Sequence, residues 1–271
     1  MTNINCSRVD IVITVFNRIE KVGRTIVSAL EALKDTGGQV IVVDDHSSDG
    51  TLEYLQQTFS AHSSVSILQH SENQGVTAAK NTGFQNSTAD WVFFLDSDDL
   101  LLEEEFKRGV ATLEAHSDCP IVFFRCVDQG GNFVGTVFEN ERKLSLQEYI
   151  AHTSYGEALT VVNKALVKSL PYDSELRGYE GLGCARLIKK YGNALLSTIV
   201  LRVYDQSGED RLSSRRQFWK RAGLLAKGHF RFFNEFYDDM SFYEKGMYLI
   251  KFSTYFLISI LSKPFLSCRI P

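Results

Sequence analysis

Aspartates at positions 96, 98 and 99 follow the apolar run Trp91-Val92-Phe93-Phe94-Leu95, and a second pair, Asp44 and Asp45, follows Ile41-Val42-Val43. Carboxylates gathered this closely repel one another unless a cation or hydrogen-bond donors sit among them. Oxygen ligands with no His or Cys cluster nearby suit a hard divalent cation, Mn²⁺ or Mg²⁺, rather than structural zinc. Such a cation takes one or two protein carboxylates and completes its shell with water and phosphate oxygens, so the pattern implies a nucleotide diphosphate. Capping of the next helix is the plainer account of Asp98 or Asp99, and also of Ser48 and Asp49 beside the first pair.

Two further stretches carry candidate chemistry. Asn73-Gln74-Gly75-Val76-Thr77-Ala78-Ala79-Lys80-Asn81-Thr82-Gly83 combines small residues with a single cation. Small side chains let a backbone approach a ligand closely, and Lys80 could meet a phosphate as a point charge, although the GxxxxGK[ST] spacing of a P-loop is absent. Leu176-Arg177-Gly178-Tyr179-Glu180-Gly181-Leu182-Gly183 leads into a helical run and sets Glu180 at a helix start. A first-turn Glu is favoured there by the helix dipole alone.

The elements that must position these residues follow from periodicity. Val9–Phe16, Gln39–Asp45, Ser64–Leu68, Trp91–Asp96 and Ile121–Val127 read as strands, and Lys21–Leu33, Thr51–Phe59, Val76–Gln85 and Leu102–Ala115 as helices between them. Strands apolar on both faces and alternating with helices imply an α/β fold with a mainly parallel, doubly covered sheet. Ligands of such sheets bind at the carboxyl ends of the strands, where the polar residues gather. Further on, Gly130-Gly131-Asn132 reads as a hairpin turn between Phe124–Asp128 and Phe133–Phe138, Leu144–Ala151 as a helix and Leu195–Tyr204 as a strand.

With 271 residues, 44% of them hydrophobic, the chain can bury one large core and carry an appendage. The five cysteines form no CxxC pair and nothing at the N-terminus resembles a secretory signal, so reduced thiols and a cytoplasmic location are expected. A net charge of -4 argues against nucleic acid as a partner.

Four motifs in order resemble the family 2 glycosyltransferases of the GT-A fold. They are Ile13-Thr14-Val15-Phe16-Asn17-Arg18, Val42 through Gly50, Asn73-Gln74-Gly75 with Ala79 through Gly83, and Leu95 through Asp99. The resemblance implies a Rossmann-like, mainly parallel central sheet with helices on both faces and an inverting, metal-dependent transfer from a UDP-sugar. Thr14 and Phe16 stand where the family contacts the nucleotide base, and Asp44 or Asp45 where a carboxylate accepts a base N–H. Thr14 departs from the family's usual proline. Lys80 replaces the commoner Arg at the diphosphate, Asp96 matches the aspartate near ribose and sugar, and Asp98 the metal-bridging one. Glu180 matches the first residue of the family's Glu-Asp pair, to which the base is assigned. Because Gly181 replaces the Asp, either Glu180 is the base or the role moves, for instance to Glu175 or Asp173. Arg211 falls in a segment resembling the loop that closes over the donor diphosphate, where a planar cation could neutralise the leaving group.

These readings divide the chain into a GT-A domain over 1-210, with a nucleotide-sugar half (1-100) and an acceptor half (101-210), and a basic helical tail over 211-271. Arg211 to Arg231 holds seven Lys or Arg and no acid, and the last 54 residues hold 14 of the 32 aromatics. Basic residues interleaved with Phe218, Trp219, Leu224, Leu225, Phe230, Phe232 and Phe233 suit an anionic membrane surface at its cytoplasmic face, while Met247–Leu261 is too short for a span. Packing on protein is the alternative for both helices. The expected acceptor is a glycan, free or lipid-linked. The rival functions are a non-catalytic GT-A binding or assembly module and an aspartate-nucleophile phosphohydrolase. No motif specifies the sugar, the linkage or an oligomeric state.

Overall fold

The computed structural model describes residues 8–151, 156–207 and 215–261, with the backbone alone at 215–218. Cys6, Cys268 and Arg211 lie outside the described residues, as do the side chains of Arg215, Arg216 and Phe218. The chain divides into two compact units, one to Gln206 and one from Ser207.

In the first unit, β1 (Val9–Val15), α1 (Val22–Leu33), β2 (Val40–Asp44), α2 (Thr51–Phe59), β3 (Val65–Gln69), α3 (Val76–Asn86) and β4 (Trp91–Asp96) alternate as the periodicity predicts. A two-residue strand β5 (Leu100–Leu101), α4 (Glu103–Ala115) and β6 (Ile121–Asp128) follow, then β7 (Arg142–Leu144) and α5 (Leu146–Ala151). β8 (Ala158–Asn163), α6 (Glu180–Tyr191) and β9 (Ala194–Tyr204) complete the unit.

The sheet order is β3-β2-β1-β4-β8-β6-β9-β5, with β7 also on β9. β1 to β4, β6 and β9 run one way, and β5, β7 and β8 run against them. The sequence reading missed β8, which inserts antiparallel between β4 and β6. A β-α alternation predicts only parallel neighbours, so nothing in that pattern calls for such a strand. The expected Phe133–Phe138 strand is also absent: a single Val127–Phe133 bridge takes its place.

Alternate strand residues face opposite layers. Ile11, Ile13, Val40, Val42, Phe93 and Leu95 join α1, α2 and α4 in one core. Val12, Ile41, Val43, Val92 and Phe94 meet α3 and α6 in the other. On the second side α3 lies close against β1: a Cβ on Gly83 would stand 2.2 Å from Val12 Cγ1. Gly83→Ala is therefore expected to cost about 1–3 kcal/mol through overpacking, read as a lower urea midpoint with an unchanged m-value.

The second unit is a helical hairpin of α7 (Arg215–Glu235) and α8 (Phe242–Leu261) joined through a 3-10 turn at Tyr237–Asp239. Ser241 and Glu244 form a reciprocal cap at the start of α8: the Ser241 N–H donates to Glu244 Oε2 at 2.6 Å, and the Glu244 N–H to Ser241 Oγ at 3.4 Å. Phe232 stacks on Tyr248 and packs on Phe236, both at 4.7 Å between centroids, so part of the aromatic content expected to be interfacial fills the hairpin seam instead. No helix among the described residues is long and apolar enough to cross a membrane.

Candidate active site

Strand register lines up the predicted residues along one sheet edge. Thr14 pairs with Val43 on one side and with Asp96 on the other, and Val15 pairs with Asp44. Beyond these ends the backbone takes the left-handed conformation at two residues other than glycine, Asn17 (φ 51°) and His46 (φ 66°). Such residues are costly unless their surroundings hold them, and they concentrate at ligand sites. Here the Asn17 N–H donates to Ser47 Oγ at 2.9 Å and Asn17 Oδ1 accepts the Ser48 N–H at 2.8 Å, tying the two loops together. Phe16, the residue before Asn17, is 44% exposed, a large apolar side chain outside the core.

The two aspartates after β2 have different surroundings. Asp45 is engaged by protein: it accepts the N–H groups of Gln74 (2.8 Å) and Gly75 (2.7 Å) and the Nδ1–H of His70 (2.7 Å). His70 Nε2 in turn lies 2.9 Å from Thr82 Oγ1, so a buried His missed by the sequence reading orients this carboxylate. Asp44 accepts the Ser47 N–H at 3.0 Å, while its buried Oδ1 has no hydrogen-bond partner among the described residues. The expected cap is also shifted. Gly50 is the N-cap of α2, and Asp49, one residue earlier, accepts the Thr51 N–H at 3.0 Å.

Lys80, Asp96 and Glu180 come together. Lys80 Nζ sits 3.2 Å from Asp96 Oδ1 and 3.3 Å from Glu180 Oε1, with only 8% of the residue exposed. Burial alone would lower the Lys80 pKa, but Asp96 and Glu180 hold it above its ordinary value. Burial likewise works against the charged form of Asp96, and Lys80 and Arg202 overcome it to keep that carboxyl below the usual range. Two tethers set Glu180 at the first turn of α6. Arg177 donates to the Asn73 carbonyl at 2.7 Å, and Asn81 donates to the Tyr172 carbonyl at 2.8 Å while accepting the Tyr172 N–H.

Arg202 is the residue that sequence reasoning missed most clearly. On β9 and buried, it lies 3.5 Å from Asp96 Oδ2, 3.3 Å from Asp99 Oδ2 and 3.2 Å from Glu157 Oε2. The surrounding Cys126, Asp99, Asp96 and Glu157 hold its pKa above the ordinary value against the pull of burial. Its signal was a cation at another carboxyl strand end, visible only once that strand is known to join the sheet.

The expectation that Asp98 or Asp99 caps the next helix is corrected. Leu102 occupies the cap of α4 with no side-chain bond, while Asp99 is fully buried and accepts the Asp205 N–H at 2.8 Å. Burial and the nearby Asp96 and Asp98 push the Asp99 carboxyl up to about 7, in spite of Arg202. Asp205 closes this edge, 2.9 Å from Lys21 Nζ and 2.6 Å from Arg24 Nη2. Asp98 faces Arg18 at 3.9 Å, and burial followed by the charge of Asp96 raises its carboxyl above the usual range.

The Asp98 carboxylate, partly buried and 3.9 Å from Arg18, is an oxygen donor of the kind that a hard cation takes together with diphosphate oxygens. Among the described residues there is no group of three or more His, Cys, Asp or Glu able to hold a metal unaided.

A cavity of about 240 Å³ is lined by Lys80, Asp96 and Glu180 and by Glu157 and Arg202, with Phe94, Phe123, Tyr149 and Tyr172 among its aromatic walls; Thr14, Phe16, Asp44, Asp45 and Asp98 do not line it. Asp173 and Glu175, the fallback carboxylates, do not line it. Asp173 pairs with Arg186 at 3.3 Å.

Residues 10–162 match the model of glycosyl transferase family 2. The poly(ribitol-phosphate) beta-N-acetylglucosaminyltransferase TarP of Staphylococcus aureus is 36% identical over 138 residues, 49% of this chain and 41% of that protein. A GalNAc(5)-diNAcBac-PP-undecaprenol beta-1,3-glucosyltransferase of Campylobacter jejuni is 27% identical over 194 residues, 68% of this chain and 60% of that protein. The chain therefore spans less than two thirds of the length of these relatives. The crystal structure of S. aureus TarS 1-349 in complex with UDP-GlcNAc superposes with a TM-score of 0.65 at 18% identity, covering 92% of this chain and 72% of that one, which shows a shared fold.

Proposed function

This chain belongs to glycosyl transferase family 2, and from that membership we propose that it moves a sugar from a UDP-sugar to a hydroxyl of a surface-glycan acceptor, with inversion. The observation that carries the reading is Lys80 bridging Asp96 and Glu180 at 3.2 and 3.3 Å on the cavity wall. It sets a buried cation, a sugar-side carboxylate and a base candidate within one sugar's reach.

In this reading Thr14 and Phe16 hold the base, and of the two aspartates Asp44, whose Oδ1 has no hydrogen-bond partner among the described residues, accepts its N–H. Lys80 turns to the diphosphate and thereby releases Glu180. The acceptor oxygen attacks the anomeric carbon as the bond to the diphosphate breaks; its proton passes to Glu180, and the bonding electrons leave on UDP. Asp98 would hold Mn²⁺ or Mg²⁺, which supplies positive charge to the departing diphosphate when bound. Arg211 is assigned the same electrostatic task from its position in sequence.

The relatives named above act, by their names, on a ribitol-phosphate polymer and on an undecaprenyl-linked glycan. They support a glycan acceptor, polymeric or lipid-linked. A lipid surface for the tail is supported by α8, whose exposed large apolar side chains include Phe242, Tyr243, Leu249, Ile250, Phe256 and Leu257.

The test is UDP release by the purified protein with Mn²⁺ across a panel of UDP-sugars, with and without a membrane-lipid extract. Release with one sugar, stimulated by the extract, is the expected result. No release with any sugar, and no Mn²⁺-dependent UDP binding by calorimetry, would leave a non-catalytic binding module, which the missing carboxylate at Gly181 favours.

A further inference from the structure

The family's usual second carboxylate is missing at Gly181, yet space is not the reason. A Cβ there would meet only Tyr149 Oη, at an ordinary 3.6 Å. The cavity has another carboxylate from a different element: Glu157, which immediately precedes β8. β8 is the strand that the sequence reading missed, so Glu157 had no place in it.

Glu157 is held at both of its ends. Gly156 takes φ +82° and packs so tightly on Gly135 that a Cβ would stand 2.2 Å from its Cα. On the other side Ala158 is in register with Arg125 of β6. The carboxylate is fixed by Arg202 Nη2 at 3.2 Å, and Arg202 is itself pinned by Asp96, Asp99 and Cys126 Sγ, the last at 3.1 Å. The Glu157 side chain nonetheless remains 46% exposed, so its remaining acceptor positions are open to a ligand.

We propose that Glu157, oriented by Arg202, is a sugar-reading residue that accepts hydrogen bonds from hydroxyls of a pyranose seated between it and Glu180. This rests on the glycosyltransferase reading of the same site and names a contact that reading does not use. The cavity, about 240 Å³, is below the size of pockets that enclose whole drug-sized ligands and suits one ring rather than a complete nucleotide sugar. A carboxylate braced by a guanidinium offers a rigid acceptor pair, and aromatic walls offer faces for the ring's C–H groups. The hydroxyls could belong to the donor's sugar or to the acceptor's terminal sugar.

The experiment compares the parent with Glu157→Gln, which keeps the shape and leaves Arg202 paired with Asp96 and Asp99. Hydrolysis of UDP-sugar without acceptor and transfer with acceptor are measured across UDP-sugars, alongside UDP binding by calorimetry and the melting temperature. Loss of a hydrogen bond to a charged group predicts a KM about 10- to 100-fold higher. UDP affinity and melting temperature should stay at parent values. A raised donor KM in both assays assigns the hydroxyls to the donor; a raised acceptor KM in transfer alone assigns them to the acceptor. Parent-like KM values in both assays, with an active parent, would overturn this inference alone. So would a parallel loss of UDP affinity, which marks a structural role. A parent that turns over no UDP-sugar would overturn the functional reading and this inference with it.

Discussion

Glu180→Gln is expected to lower kcat for sugar transfer by about 10²- to 10⁴-fold, the usual contribution of a positioned general base. Donor binding should change little. Glu180 starts α6, and the amide keeps the size of the side chain, so the tethers through Arg177 and Asn81 are untouched. Lys80 retains Asp96 at 3.2 Å and so remains a paired buried cation. The loss should therefore fall on kcat and on kcat/KM alike, the mark of a group that acts in the transition state. Steady-state UDP release at saturating donor is the measurement. Turnover by the Gln variant at the parent rate would remove Glu180 from the base role; of the two fallback carboxylates, neither of which lines the cavity, Asp173 is already paired with Arg186.

Asp98→Asn is expected to lower metal-supported turnover by about 10²- to 10³-fold, comparable to removing a principal charge-stabilising group from an active site. The fold should survive. Burial and the charge of Asp96 hold the Asp98 carboxyl above its ordinary value, so the folded protein keeps that proton more tightly than the unfolded chain does. The stability tied to that proton is present at low pH and is lost as pH rises from the ordinary carboxylate value through the raised one. At neutral pH the charge is thus a burden on the folded state, and the Asn variant should melt no lower than the parent. Cation binding has the opposite sign: it needs the carboxylate, so Mn²⁺ affinity should fall on acidification with a midpoint above that of an ordinary Asp. Mn²⁺ titrations of UDP release at several pH values, with melting curves in parallel, separate these effects. Full Mn²⁺-dependent activity in the Asn variant would end the assignment of Asp98 to the metal.

Both predictions concern residues legible in the sequence, and the reason is local. β1, β2 and β4 are apolar on both faces, so the polar residues following them stand out, and a parallel sheet places all such ends on one edge. Glu180 could be placed at a helix start because Gly178 and the apolar spacing after Gly181 mark the boundary. Less visible was what each carboxylate touches. Asp99 looked like a helix cap and is instead a buried acceptor for the Asp205 N–H, a contact 106 positions away. Asp44 and Asp45 were equal candidates for the base contact, and Asp45 is met by His70 and by the turn before α3.

The sequence by itself determined the strand ends, their polar residues and the α/β alternation, because side-chain period and turn chemistry act over a few residues. Only the tertiary structure decided which charges neutralise one another. Arg202, Glu157 and Asp205 read as unremarkable strand and loop residues until β8 enters between β4 and β6 and β9 pairs with β6. A charge's environment depends on neighbours distant in the chain and on the burial they impose together, and neither quantity is carried by local spacing.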